Sequence, residues 1–263
     1  MITVPLLLLI LSVPEKPGFT DVTEQMGLNG ISTARVCLVD LNMDGFPDMV
    51  VDRHRVFMNI PADTDNTNPD SSAGISLRRK FEEIPADRTG LPLPDGNGPV
   101  VFADIDNDGI TDAVITRYVD LNNEKWQDNG KRTAWCRGVG DGTFWPEQVI
   151  ENVTPATTSA VAVADCNRDG KPDIYLGNWY EKYGESYDGY ANELLLQTEK
   201  GWERHAPVEE GIALRKDDIG GRPTYGTVIA QLLSDSAADR PQLLDLNYGR
   251  RWNHLWVTAA NNN

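Results

Sequence analysis

A nine-residue pattern, Asp-x-[Asp/Asn]-x-Asp-Gly-x-x-Asp, occurs three times and constrains this chain more than any other feature. The copies are Asp40-Leu41-Asn42-Met43-Asp44-Gly45-Phe46-Pro47-Asp48, Asp104-Ile105-Asp106-Asn107-Asp108-Gly109-Ile110-Thr111-Asp112 and Asp165-Cys166-Asn167-Arg168-Asp169-Gly170-Lys171-Pro172-Asp173. Together they hold ten Asp against Arg168 and Lys171, a net −8, which is half of the −16 carried by all 263 residues. Carboxylates packed this densely are costly unless a cation neutralises them. One such stretch would pass as a solvated acidic turn; three with one pattern point to bound cations.

The donors are oxygens throughout: no copy contains His, and Cys166 sits at an x position. An oxygen-only set rich in carboxylates suits Ca²⁺ better than Zn²⁺ or Mg²⁺, so about three Ca²⁺ ions are expected. Side chains at positions one, three, five and nine are the candidate ligands: Asp40, Asn42, Asp44 and Asp48; Asp104, Asp106, Asp108 and Asp112; Asp165, Asn167, Asp169 and Asp173. Position seven (Phe46, Ile110, Lys171) offers only its backbone carbonyl, and the glycine at six permits the sharp turn. An EF-hand begins alike but closes with Glu at position 12. Here position 12 is Val51, Ile115 or Leu176.

Short, β-branched apolar segments flank each copy, such as 160–164 before and 174–176 after the third. They read as strands, so each acidic loop is expected at the tip of a β-hairpin, over 35–52, 99–117 and 159–178. Near-continuous apolar character predicts strands buried on both faces. The loops start at 40, 104 and 165. Aromatics opening strand-like segments (Phe19, Phe81, Phe144, Trp202) and the pairs Gly27-Leu28, Gly90-Leu91 and Gly211-Ile212 keep the same period of about sixty residues. Each unit reads as four strands, in the third unit roughly 159–164, 173–178, 193–197 and 202–208. Four-stranded units repeated radially are β-propeller blades. A fourth unit, 225–258, is degenerate: Pro241 matches Pro47 and Pro172, but the Asp ladder is gone, so no cation is expected there.

The hairpin pattern, the period and the opening Phe19-Thr20-Asp21-Val22-Thr23-Glu24-Gln25-Met26-Gly27-Leu28 resemble the FG-GAP/VCBS repeats of integrin α-subunit propellers and bacterial secreted repeat proteins. The resemblance covers residues 18–258. It implies an all-β propeller of four-stranded blades with Ca²⁺ held between the first two strands of a blade. Propellers of this family close with about seven blades, whereas this sequence supplies about four. The expectation is a part of a larger propeller, or self-association of an incomplete one.

The acidic balance opposes nucleic-acid binding, which needs surplus Lys and Arg. The apolar run 4–13 is too short to span a membrane and fits the core of a signal peptide within residues 1–17, so an extracellular or periplasmic protein is expected. Three Cys (Cys37, Cys136, Cys166) give no disulfide framework. His54, His205 and His254 form no metal-spaced pair, and no nucleophile elbow or phosphate-loop lysine occurs. The expectation is therefore a non-enzymatic binding or adhesion module, or else the scaffold part of a secreted carbohydrate-active enzyme. Loops between second and third strands emerge opposite the acidic hairpins. They carry Trp126, Trp179, Tyr180, Tyr183, Tyr187 and Tyr190, which suit a protein or carbohydrate ligand.

Overall fold

A computed structural model describes residues 19, 21–62, 78–93, 98–119, 122–125, 127–128, 130–185, 189–205, 223–233, 240–248 and 253–257. Among these the architecture is all-β, in four antiparallel sheets whose strands pair in chain order. The first sheet contains β1 (Val36–Val39), β2 (Asp48–Val51), β3 (Arg55–Pro61) and β4 (Arg79–Glu83). The second contains β5 (Val100–Ala103), β6 (Asp112–Ile115), β7 (Ala134–Cys136) and β8 (Gln148–Val149). The third contains β9 (Thr158–Ala164), β10 (Asp173–Asn178), β11 (Glu193–Thr198) and β12 (Gly201–His205). The fourth has three described strands, β13 (Thr224–Ala230), β14 (Gln242–Asn247) and β15 (His254–Trp256). All three acidic loops join a first strand to a second, as expected from their flanks. No helix long and apolar enough to cross a membrane occurs among the described residues.

Side chains alternate across a strand, and that alternation stacks the sheets. On β6, Ala113 and Ile115 pack with Val50, Val56 and Met58 of the first sheet. Val114, between them, packs with Ile174, Leu176 and Leu195 of the third. On β10, Tyr175 points the other way, and its hydroxyl donates to Asp245 of the fourth sheet (2.9 Å). β6 and β10 are therefore sandwiched between neighbouring sheets, and β2 between the second sheet and a cover of Leu28, Ile31 and Phe81, which is why all three are buried along their whole length.

First strands depart from that expectation. β1 exposes Val36 and Leu38, because it is the edge of its sheet and their face is covered only farther out, where Leu28, Ile31 and Phe81 pack on Met49, Val51 and Phe57. Phe19 also departs: it is fully exposed and lies in no strand, since no described strand is placed to pair with it. Its counterparts do pair, Phe81 opposite Asn59, Phe144 opposite Gly138 and Trp202 opposite Gln197. Gly211-Ile212 lies outside the described residues.

The repeat markers meet each other. The N–H of Phe81 donates to the carbonyl of Met26 (2.9 Å), and that of Phe144 to Thr89 (2.8 Å). Gly27 and Gly90, the next residues, press against the carbonyls of those same aromatics. The segment ahead of each of the first two units thus docks on that unit's outermost edge.

Candidate metal centres and aromatic platform

The three acidic tips share one geometry. Position four (Met43, Asn107, Arg168) and the glycine at six (Gly45, Gly109, Gly170) all have positive φ, which folds the loop back on itself. The first carboxylate then accepts from two loop amides. Asp40 takes Asp44 N–H (3.2 Å) and Gly45 N–H (2.9 Å), and Asp104 takes Asp108 N–H (3.1 Å) and Gly109 N–H (2.9 Å). Asp165 takes Asp169 N–H (3.1 Å) and Gly170 N–H (2.9 Å). Position three also accepts the fifth residue's N–H, at 3.2 Å on Asn42 and Asp106 and 2.9 Å on Asn167. Position five accepts that of the seventh, on Asp44, Asp108 and Asp169 (2.8–2.9 Å).

In the second loop, carboxylate oxygens of Asp104, Asp106 and Asp108 lie within 4.8 Å of one another. Burial, then the charge of Asp108, pushes the Asp106 carboxyl above its ordinary value. Backbone donors, with arginine assisting, hold Asp44 and Asp108 below theirs. The donor set fits a hard divalent cation. A cationic group already stands on these oxygens: Arg137 reaches Asp106 (2.9 Å) and Asp108 (2.7 Å), and Arg79 reaches Asp44 (2.8 Å). Burial raises the thiol of Cys166, inside the third loop, to about 12, and its Sγ lies 3.5 Å from the Ala164 carbonyl, to which it donates.

The ninth-position aspartates have a second role that sequence reasoning missed. Asp48, Asp112 and Asp173 are fully buried, and each joins two strands through backbone amides. Oδ2 accepts the N–H of the loop's second residue: Leu41 (2.9 Å), Ile105 (2.8 Å) and Cys166 (2.8 Å). Oδ1 accepts an N–H from the third-strand line: Asn59 (2.7 Å), Gly138 (2.7 Å) and Gln197 (3.0 Å). These three residues are the partners of the repeat aromatics. Burial raises all three carboxyls, and the amide bonds oppose it. In the fourth unit the hook survives without the ladder. Gln242, buried at the start of β14, accepts Leu232 N–H (2.7 Å) and Leu233 N–H (3.0 Å) on its one amide oxygen. The recurring pairs Pro47-Asp48, Pro172-Asp173 and Pro241-Gln242 were the available signal.

On the opposite face, Trp179, Tyr180 and Tyr183 of the β10–β11 connection meet Tyr225 of β13 and Tyr248 after β14. Trp179 lies 5.0 Å from Tyr180, 5.5 Å from Tyr225 and 5.4 Å from Tyr248 between ring centroids, and stacks on Tyr183 at 6.1 Å. Tyr225 stacks on Tyr248 at 6.1 Å. Tyr180 is buried beneath, whereas Tyr183, Tyr225 and Tyr248 are exposed. A hydrogen bond with Tyr183 raises the Tyr248 phenol. Of the other residues named from sequence, Tyr190 donates its N–H to Trp179 (2.9 Å), and burial raises its phenol to about 12. Trp126 and Tyr187 lie outside the described residues. Tyr225 and Tyr248 were missed because they belong to the degenerate unit. Their places at adjoining strand ends, on the same face as 179–183, were the usable signal.

No curated protein sequence matches the chain. Among solved structures, a lectin of Agrocybe aegerita with specific recognition of non-reducing terminal N-acetylglucosamine shares 13% identity at a TM-score of 0.41, over 79% of this chain and 45% of the lectin. The V. cholerae biofilm matrix protein Bap1 shares 17% identity at a TM-score of 0.34, over 80% of this chain and 34% of Bap1. The chain thus spans less than half the length of either. A family model does match, from Val119 to Leu176, running from the end of the second unit's second strand through β7, β8, β9 and the third acidic tip into β10. This protein therefore carries an FG-GAP-like repeat, as its acidic hairpins led us to expect.

Proposed function

We propose that this chain is a calcium-stabilised, extracytoplasmic β-propeller module that binds a carbohydrate partner without catalysing a reaction on it. The observation that carries the binding role is the platform of half-buried Trp179 and exposed Tyr183, Tyr225 and Tyr248, assembled from two successive units on the face away from the acidic tips. Rigid, amphipathic rings of this kind offer flat apolar area with polar edges at low entropic cost. The four stacked sheets are read as successive blades. Val228, Leu246 and Leu255, exposed on the side of the fourth sheet turned from the third, support a stack that extends further.

Affinity electrophoresis through gels containing neutral and acidic polysaccharides tests the binding role. Retardation by at least one polysaccharide is expected, weakened about fivefold or more in Tyr225→Ala. Migration of the wild-type chain unchanged by every polysaccharide would overturn the carbohydrate reading.

Calcium is assigned to positions one, three and five of the three tips with the carbonyls of Phe46, Ile110 and Lys171, and the ninth aspartates fasten each loop to its sheet. With Kd of about 10⁻⁴–10⁻³ M, about 1 mM Ca²⁺ stabilises by roughly 0.4–1.4 kcal/mol per site. Three sites should raise Tm by roughly 3–15 °C. Scanning calorimetry in EDTA and after Ca²⁺ restoration measures this; superimposable melts would remove the metal assignment.

A further inference from the structure

The carboxylates of the second tip divide their oxygens in an ordered way. The loop backbone takes one oxygen of Asp106, Oδ1, and one of Asp108, also Oδ1. The other oxygen of each, Oδ2, faces a single guanidinium: Arg137 donates from Nη2 (2.7 Å) and Nε (3.2 Å) to Asp108 Oδ2, and its Nε lies 2.9 Å from Asp106 Oδ2 as an ion pair. Arg137 directly follows β7 and immediately precedes Gly138, whose amide is held by Asp112. Its backbone is thereby fixed to the same hairpin that its side chain neutralises.

The first tip repeats the arrangement from a different strand. Asp44 gives Oδ1 to the Phe46 amide and Oδ2 to Arg79 Nη2 at 2.8 Å. Arg79 is the first residue of β4; its guanidinium also donates to Asn59 Oδ1 (2.9 Å) and lies 3.7 Å from the centre of the Phe46 ring. In the third tip, the equivalent oxygen of Asp169 accepts from the Asn167 side-chain amide (3.1 Å). Two arginines with different positions in their repeats therefore converge on the same oxygen, which the loop backbone leaves to outside donors.

We propose that Arg137 is a built-in counter-cation of the second tip: its guanidinium and a divalent cation are alternative occupants of Asp106 Oδ2 and Asp108 Oδ2. Three carboxylates within 4.8 Å repel one another. A guanidinium that donates twice to Asp108 and lies in ion-pair contact with Asp106 relieves that repulsion when no metal is bound. A cation entering the tip must displace it. Arg137 is about half exposed, so release into water is inexpensive and the competition is modest. Arg79 is less exposed and is held by Phe46 and Asn59 as well as Asp44, so it yields less readily. The tips should consequently load at different cation concentrations. The inference rests on the calcium reading above.

Calorimetric titration with Ca²⁺ alone, on the whole chain, tests it in Arg137→Gln and Arg137→Lys. Surface ion pairs of this kind are worth little individually, so Arg137→Gln should tighten one class of site by about three- to tenfold while lowering Tm in EDTA. Arg137→Lys, which keeps the charge but loses the fork, should fall between. In the unmodified protein, the Arg137 Nε–H resonance should shift over the same Ca²⁺ range, a readout independent of whether the variants fold. Calcium binding of equal or weaker affinity in Arg137→Gln, or an Nε–H resonance unmoved at saturating Ca²⁺, would overturn the role of Arg137 and leave the calcium sites standing. Absence of Ca²⁺ binding by the wild-type chain would remove the calcium reading and this inference with it.

Discussion

Replacing Gly90 with alanine should destabilise the fold by more than about 4 kcal/mol, the range reserved for severe backbone conflicts. Two costs combine. Gly90 has φ +76°, a region where a Cβ alone costs about 1–2 kcal/mol. An added Cβ would also sit 1.9 Å from the carbonyl oxygen of Phe144 and 2.8 Å from its carbon. Backbone cannot step aside as a side-chain tip can. The neighbouring Thr89–Phe144 bond of 2.8 Å would have to open, and Leu91 would be drawn from the core it shares with Val50, Val56 and Cys136. Gly30→Ala is the matched control: φ is +75° but nothing lies within 4 Å of the new Cβ, so only the conformational cost of about 1–2 kcal/mol is expected. Gly27→Ala, with Phe81 O at 2.7 Å, should fall between. Denaturant unfolding at fixed Ca²⁺ orders the three. A Gly90→Ala loss no larger than that of Gly30→Ala would refute the docking of the 89–91 segment on Phe144.

The second large effect is expected from Asp112→Ala. It strips the acceptor from two buried amides, those of Ile105 and Gly138. Each unsatisfied buried donor costs about 1–3 kcal/mol, so a loss of roughly 2–6 kcal/mol is expected, moderated by removing a buried charge. Asp112→Asn should lose less, because its one amide oxygen can still accept, as Gln242 does for two amides in the fourth sheet. The diagnostic lies in EDTA. If the ninth aspartate is a strand fastener, the Asp112→Ala loss persists without calcium, whereas Asp104→Ala loses the calcium-dependent increment of stability. An Asp112→Ala penalty that disappears in EDTA would show that the residue acts through the metal alone.

These outcomes separate what is local in the chain from what is not. The acidic tips were legible because their geometry closes within six residues. The amides that organise Asp40, Asp104 and Asp165 lie four and five positions away, and the glycine at six supplies a positive φ that a side chain resists. Strand boundaries followed from the same punctuation, so β9 to β12 fall within a few residues of their expected places. The period was legible because each unit repeats the same short-range signals.

Contacts between segments distant in the chain left no such trace. The glycine and aromatic markers could be counted, but nothing local said that Gly90 would meet Phe144 more than fifty residues on. The ninth aspartate could be placed in the acidic ladder by spacing, but its bonds to Asn59, Gly138 and Gln197 depend on which strand lies alongside. Arg79 opens β4 and Arg137 follows β7, and they share no motif, yet both reach acidic tips. Tyr225 and Tyr248 joined Trp179 only when the fourth sheet stacked on the third.

The sequence by itself determined the all-β class, the sixty-residue unit and the three acidic turns, because short β-branched apolar runs bounded by turn residues and short acidic ladders encode their own conformations. The tertiary structure alone decided which carboxylates fasten strands, which arginines stand over the tips, and which tyrosines form the platform. The first two depend on which strand lies alongside within a sheet, and the platform on the stacking of the fourth sheet on the third; long-range packing of that kind is a property of the assembled surfaces rather than of any stretch of chain.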